Sequence, residues 1–256
     1  MVTHFFLGAN SGGGFRSLFT QFCRREDLYD LVILKGGPGS GKSTLMCTVG
    51  LLALDTSGKM ASCALLQDGV VLDMLQQDSQ MDHSRLMLPL CEQLLQKHGL
   101  TFANVDVYAA VVGPGSFTGV RIGTAAVKGF AWAQDKPCAG VSSLQAMACG
   151  STENGVLCCS LKARPGESFY ALFQREDGFL IRLTEDKVGK DEEMEAAAER
   201  HGATVFLRDC QNAAGAAKAA WMQAKSGKLQ NCHEILPAYL RLSQAERLRK
   251  ERMEQQ

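Results

Sequence analysis

The chain has no excess of either charge. Its 256 residues hold 27 Lys and Arg against 27 Asp and Glu, so no global positive field draws it onto nucleic acid unaided. It also lacks any C-x-x-C pair and any Cys/His cluster at zinc-ligand spacing, although it carries 10 cysteines. Cys158 and Cys159 are simply adjacent in an apolar run. The opening "MVTHFFLGANSGGGF" contains no long apolar stretch of the secretory kind. Together these absences predict scattered reduced thiols in a cytoplasmic protein, not a disulfide frame. No apolar run approaches the ~18 residues of a membrane-spanning helix, so no membrane association is expected.

What is present is ordinary globular composition, 46% hydrophobic and 21% charged, with one conspicuous motif. Residues 36–43, "GGPGSGKS", satisfy G-x-x-x-x-G-K-[ST] after the β-rich run "LVILKG". Gly36, Gly39 and Gly41 let consecutive backbone N–H groups turn onto phosphate oxygens. Lys42 would neutralise phosphate, Ser43 can hold Mg²⁺, and Thr44 continues into a helix whose dipole favours the anion. Hydrolysis needs more, namely an acid at the end of a neighbouring parallel strand. Asp55, ending "LLALD", has that look. Yet the interval from Lys42 to Gly50 falls short of the ~10–12 residues that a parallel crossover requires, and a hairpin follows Asp55. This segment has its loop and lacks its sheet.

From Leu51 the texture changes. "LLALDTS", "MASCALLQDG" and "VVLDMLQ" read as short strands joined by tight turns, an antiparallel meander. "HSRLMLPLCEQLLQKHG" follows with Leu86, Leu90, Leu94 and Leu95 at helical spacing, Pro89 inside and Gly99 as a stop. A strand, the Gly/Pro loop "GPGSFTG" and a small-residue helix come next. Then "GVLCCSLKA", "SFYALFQ" and "GFLIRLTE" repeat the meander, with helix, strand and helix after it. A meander followed by helix–strand–helix, met twice, predicts an α/β protein with two related subdomains. The expected divisions are a P-loop segment at 1–50 and subdomains at 51–148 and 149–256, the last ending in a charged helix.

Two resemblances attach to these runs. Residues 1–50 resemble the start of a poorly characterised family of bacterial P-loop ATPases, cut off within the helix after the loop. From Leu51 onward, "LLALDTSGKMASCALLQDG", "HSRLMLPLCEQLL", "VVGPGSFTGVRIGTAAVKGFA", "GVSSLQAMA", "ARPGESFYALF" and "PAYLRLSQAE" occur in the order found in the TsaB family. That family supplies the dimerisation subunit of the bacterial tRNA threonylcarbamoyladenosine machinery. The resemblance implies an actin-like (ASKHA) two-subdomain fold and a non-catalytic scaffold or activator of a TsaD-like transferase. It also implies a TsaE-like ATPase as a further partner, and tRNA met only through the complex. No catalytic residue and no cofactor of its own are expected, with ATP possible at the P-loop or at the partner interface.

Read physically, Asp55, Thr56 and Ser57 set a carboxylate and two hydroxyls at the corner where actin-like folds face nucleotide phosphates. The alternative is that the hydroxyls only satisfy the hairpin. In the resemblance, the transferase holds a metal with two His at i and i+4; here Met87 stands four residues after His83, so no metal site is expected. Arg85 reverses the charge of the family's usual "HSE". Gly123, Ala125, Ala126 and Gly129 give a helix face that another helix can approach closely.

The same resemblance makes two helices, from about Leu86 to His98 and from about Thr118 to Gln134, the subunit interface. Leu86, Leu90, Leu94, Phe117, Val120, Arg121, Thr124 and Lys128 are its candidate residues, open to the transferase or to a second copy. Arg121 is also a candidate for holding an anion. The tail "RLSQAERLRKERMEQQ" reads as a solvated helix or a contact for tRNA phosphates. A rival reading makes residues 36–44 the motor of a P-loop NTPase within the same complex; the missing acidic strand opposes it. Another, a metal-dependent transferase or peptidase, is opposed by the missing His pair.

Overall fold

A computed structural model describes residues 50–78 and 82–241; the P-loop residues Gly36, Gly39, Gly41, Lys42, Ser43 and Thr44 and the charged tail beyond Arg241 lie outside them. The first sheet begins as the expected meander. β1 (Gly50–Asp55), β2 (Met60–Gln67) and β3 (Val70–Asp78) pair antiparallel. Asp68 and Gly69 both take positive φ, 49° and 87°, the turn that two-residue hairpins favour because it matches strand twist. α1 (His83–Lys97) then crosses to β4 (Val107–Gly113), which lies parallel to β1. α2 (Phe117–Gln134) leads to β5 (Cys138–Ser142) beside β4, completing the order β3-β2-β1-β4-β5.

Apolar residues alternate between two buried faces of this sheet. Leu52 and Leu54 join α1 and α2 through Leu90, Leu94, Val127 and Ala131. Leu51 and Ala53 turn the other way, with Val107, Ala109 and Val141. A strand buried on both sides reads as a continuous apolar run, as "LLAL" does.

After α3 (Ser143–Gly150) the pattern recurs. β6 (Gly155–Arg164), β7 (Glu167–Glu176) and β8 (Phe179–Arg182) form a second meander, turning at Asp177 and Gly178. β9 (Lys187–Lys190) pairs with β7; α4 (Asp191–Arg200) leads to β10 (Val205–Arg208), parallel to β6. Cys158 and Cys159 face opposite sides of this sheet, Cys158 toward Met194 and Ala198 of α4 and Cys159 toward Leu144 and Met147 of α3.

α5 (Ala213–Lys225) follows the second sheet in the chain but packs on the first. Ala213, Ala216, Ala217, Ala219 and Ala220 lie against Leu51, Ala53 and Val141. The first layer thus draws on residues from both 51–148 and 149–256. The small face brings α5 close to α3, where a Cβ on Gly215 would strike the Ala146 carbonyl. Beyond it, the chain runs back across the first sheet: Gln230 pairs with Cys138, Ile235 enters the core, and the Ala238 N–H donates to the Val112 carbonyl at 2.7 Å.

Candidate functional site

The corner after β1 is assembled by three pieces of chain. Asp55 is 2% exposed, and Thr56 and Ser57 are likewise buried. Asp55 Oδ1 accepts from the Ser57 backbone N–H at 2.8 Å and from Ser57 Oγ at 2.7 Å. Thr56 Oγ1 donates to the Gly119 carbonyl at 2.6 Å. The loop "GPGSFTG" comes down on this turn: the Ser116 N–H donates to the Ser57 carbonyl at 2.8 Å, and Ser116 Oγ caps α2 by accepting from Gly119 N. A Cβ on Gly119 would collide with the Thr56 carbonyl, and one on Gly123 would stand 2.5 Å from Thr56 Oγ1. The glycines of α2 therefore fit the helix to the β1–β2 turn.

This closure decides what the corner can hold. A phosphate needs donors turned outward, and here both hydroxyls and the Ser57 and Ser116 amides are engaged by the chain's own carbonyls and carboxylate. Neither hydroxyl is left as an outward donor. The hydroxyls do serve the fold, though by bonding to α2 and Asp55 and not by closing the hairpin backbone.

His83 opens α1 against the same turn. Its Nε2 lies 3.1 Å from the Gly58 carbonyl, which places the proton there, while buried Nδ1 has no hydrogen-bond partner among the described residues. Met87, four residues on, is buried in the core. Among the described residues no group of three or more His, Cys, Asp or Glu side chains is arranged to hold a metal. Burial raises the Asp55 carboxyl above its ordinary 3.8, opposed by both Ser57 hydrogen bonds and by His83.

The two helix faces divide differently from the apolar stripes. Leu90, Leu94, Val120 and Thr124 are buried in this chain's own core, which corrects the expectation that they face a partner. The reason is geometric: a dominant apolar stripe turns to the sheet it can reach. Leu86, Phe117 and Lys128 are half-buried, and Lys128 Nζ donates to the Ile235 carbonyl at 3.3 Å. Arg121 is exposed, but its Nε donates to Tyr239 Oη at 2.7 Å and its guanidinium lies 4.0 Å over the Phe117 ring. Phe117 and Tyr239 stack at 4.5 Å. Arg121 is thus clasped between aromatic groups and not aimed at an anion site.

The outer faces instead present Leu88, 46% exposed on α1, and Trp132, 72% exposed on α2. Ala125 and Gly129 are exposed too, and a Cβ on Gly129 would meet nothing within 4 Å. Sequence reasoning passed over Leu88, Trp132 and Tyr239. The signal for the first two was their position off the main stripes, large apolar residues with no core partner in the helical pattern.

A three-stranded meander extended by parallel strands, two in the first sheet and one in the second, defines an α/β protein of the actin-like (ASKHA) class. A model of the family TsaD, tRNA N6-adenosine threonylcarbamoyltransferase, matches residues 75–246, more than half of the chain. The chain belongs to this family, as a TsaB-type member. It is 35% identical over 130 residues to the tRNA threonylcarbamoyladenosine biosynthesis protein TsaB of Escherichia coli K12, covering 50% of this chain and 56% of that protein. With the Haemophilus influenzae TsaB it shares 37% over 131 residues, 49% and 54% of the two chains. The matched region thus spans a little over half the length of these curated relatives. Among solved structures, YeaZ from Pseudomonas aeruginosa superposes with a TM-score of 0.65 at 26% identity, over 75% of this chain and all of that one. A Pseudomonas aeruginosa protein described as similar to peptidase YEAZ gives 0.66 at 27%, with the same coverage.

Proposed function

We propose that this protein is a non-catalytic subunit of the machinery that forms N6-threonylcarbamoyladenosine in tRNA, and that it binds and activates a TsaD-like transferase through the outer faces of α1 and α2. One observation carries the reading: the largest exposed side chain on these helices, Trp132, stands beside the small residues Ala125 and Gly129 on a surface free of its own core duty. An exposed aromatic anchor with small neighbours suits close approach of a partner helix. The closed corner at Asp55 supports a scaffold role, because the Thr56 and Ser57 hydroxyls donate to the chain's own Gly119 carbonyl and Asp55 carboxylate. A TsaE-like ATPase joins the assembly and tRNA is met only within it; any ATP is then handled outside the Asp55 corner. The same face serves an isologous homodimer when no transferase is present.

The test is co-expression with a TsaD-like transferase. Trp132→Glu should reduce co-elution at least ~10-fold, in line with loss of an anchor worth ~2 kcal/mol or more. Its thermal unfolding should stay within about 0.5 kcal/mol of the parent, as for an exposed position. Undiminished co-elution of the double variant Leu88→Glu, Trp132→Glu would overturn the proposed face.

A further inference from the structure

Two residues of the run "ARPGESFY", Arg164 and Ser168, line a cavity of about 240 Å³ on the second sheet. The cavity lies at the carboxyl ends of the parallel strands β6 and β10, beside the start of α4, where open α/β sheets collect ligands. From the strands come Lys162, Arg164 and Arg208; from α4 and the residue after β10 come Asp191, Glu195 and Asp209. Three cations thus share one cavity with three carboxylates, and none of the three cations closes an ion pair among the described residues. Opposite charges at such an edge ordinarily pair when side chains can reach; here Asp191 and Glu195 come from α4, while Asp209 sits on the strand side with the cations.

The neutral neighbours are hydroxyls. Ser168 Oγ donates to Asp191 Oδ1 at 2.7 Å, fixing that carboxylate, and Asp209 Oδ1 accepts from the Lys162 backbone N–H at 3.0 Å. Ser160, 5% exposed, borders the same space. The volume falls below the ~300–1,000 Å³ of sites that enclose drug-sized ligands, so a nucleotide is too large. A ligand carrying one positive and one negative group a few bonds apart satisfies both walls at once, whereas a simple anion meets the acids of α4.

We propose that this cavity binds a free amino acid as its zwitterion, the carboxylate on the side of Lys162, Arg164 and Arg208, and the ammonium on the side of Asp191 and Glu195. The small polar L-serine is the probe that suits the hydroxyl lining. Titrated into the full-length chain, it should move the backbone amides of Lys162 and Asp209 with saturation, by heteronuclear NMR and calorimetry. Acetate, ethylamine and inorganic phosphate should each bind at least ~10-fold more weakly, since each engages one wall only. Arg208→Gln and Glu195→Gln, both at exposed positions, should each weaken L-serine at least ~10-fold without moving the thermal transition. Glu195→Asp should keep most of the affinity. Absence of saturable L-serine binding overturns the proposal. So does acetate or phosphate binding as tightly as L-serine with Glu195→Gln silent, because that describes an anion site.

Discussion

Asp55 combines burial with an unequal pair of oxygens. Oδ1 takes both Ser57 donors, while buried Oδ2 has no hydrogen-bond partner among the described residues. Burial of a charge with one oxygen unpaired disfavours the ionised form, and the carboxyl is raised above 3.8. The folded chain therefore holds this proton to higher pH than the unfolded chain does. Stability from this group is full below about 3.8 and falls as pH rises through the folded value. Asn keeps the Oδ1 acceptor and removes the charge. Asp55→Asn should stabilise the protein at pH 7 by about 1–2 kcal/mol, a rise of several degrees in Tm, and flatten the decline above pH 4. Thermal melts between pH 4 and 8 on both chains measure this; a lower Tm at pH 7 would show that the carboxylate contributes more than its burial costs. The composition of this corner, "LDTSG", was plain in the sequence. Its closure was not, because the capping contacts come from Ser116 and Gly119, some sixty residues away.

Within α2, two glycines should behave in opposite ways. Gly119 faces the β1–β2 turn, where a Cβ meets the Thr56 carbonyl, a backbone atom with little freedom to move. Gly119→Ala should cost about 1–3 kcal/mol, as overpacking does. Gly129 has open space around its Cβ position, so Gly129→Ala should be neutral or stabilise by up to ~1 kcal/mol through helix propensity. Urea denaturation of both variants gives the comparison; equal effects would show that α2 does not sit on the turn as described. The sequence marks Gly123, Ala125, Ala126 and Gly129 alike, as a face for a neighbouring helix. Tertiary contact separates them: Gly123, with Gly119 one turn earlier, faces the hairpin, and Ala125 and Gly129 turn outward. The same sorting moved Leu90, Leu94, Val120 and Thr124 to the core and left Leu88 and Trp132 outside.

For the whole molecule, the unit that contains both sheets runs from Val49 to the end of the chain. Among the described residues, its four buried clusters hold both faces of the first sheet and of the second. Removing residues 1–48 should therefore leave its cooperative unfolding and its co-elution with a transferase unchanged, and Lys42→Ala should do the same. Loss of either property on deletion would assign the P-loop segment a part in the work.

Local order was legible along the chain because it depends on near neighbours. The Asp-Gly turns, the two meanders, the helices and the run "GPGSFTGVRIG" all followed from spacing and residue type, and with them the α/β class. Which side of each helix meets the sheet, the return of α5 to the first layer, the sealed corner at Asp55 and the charged cavity beside α4 were decided only in three dimensions. Each rests on contacts between residues far apart in sequence, and periodicity within an element cannot say which distant surface that element will meet.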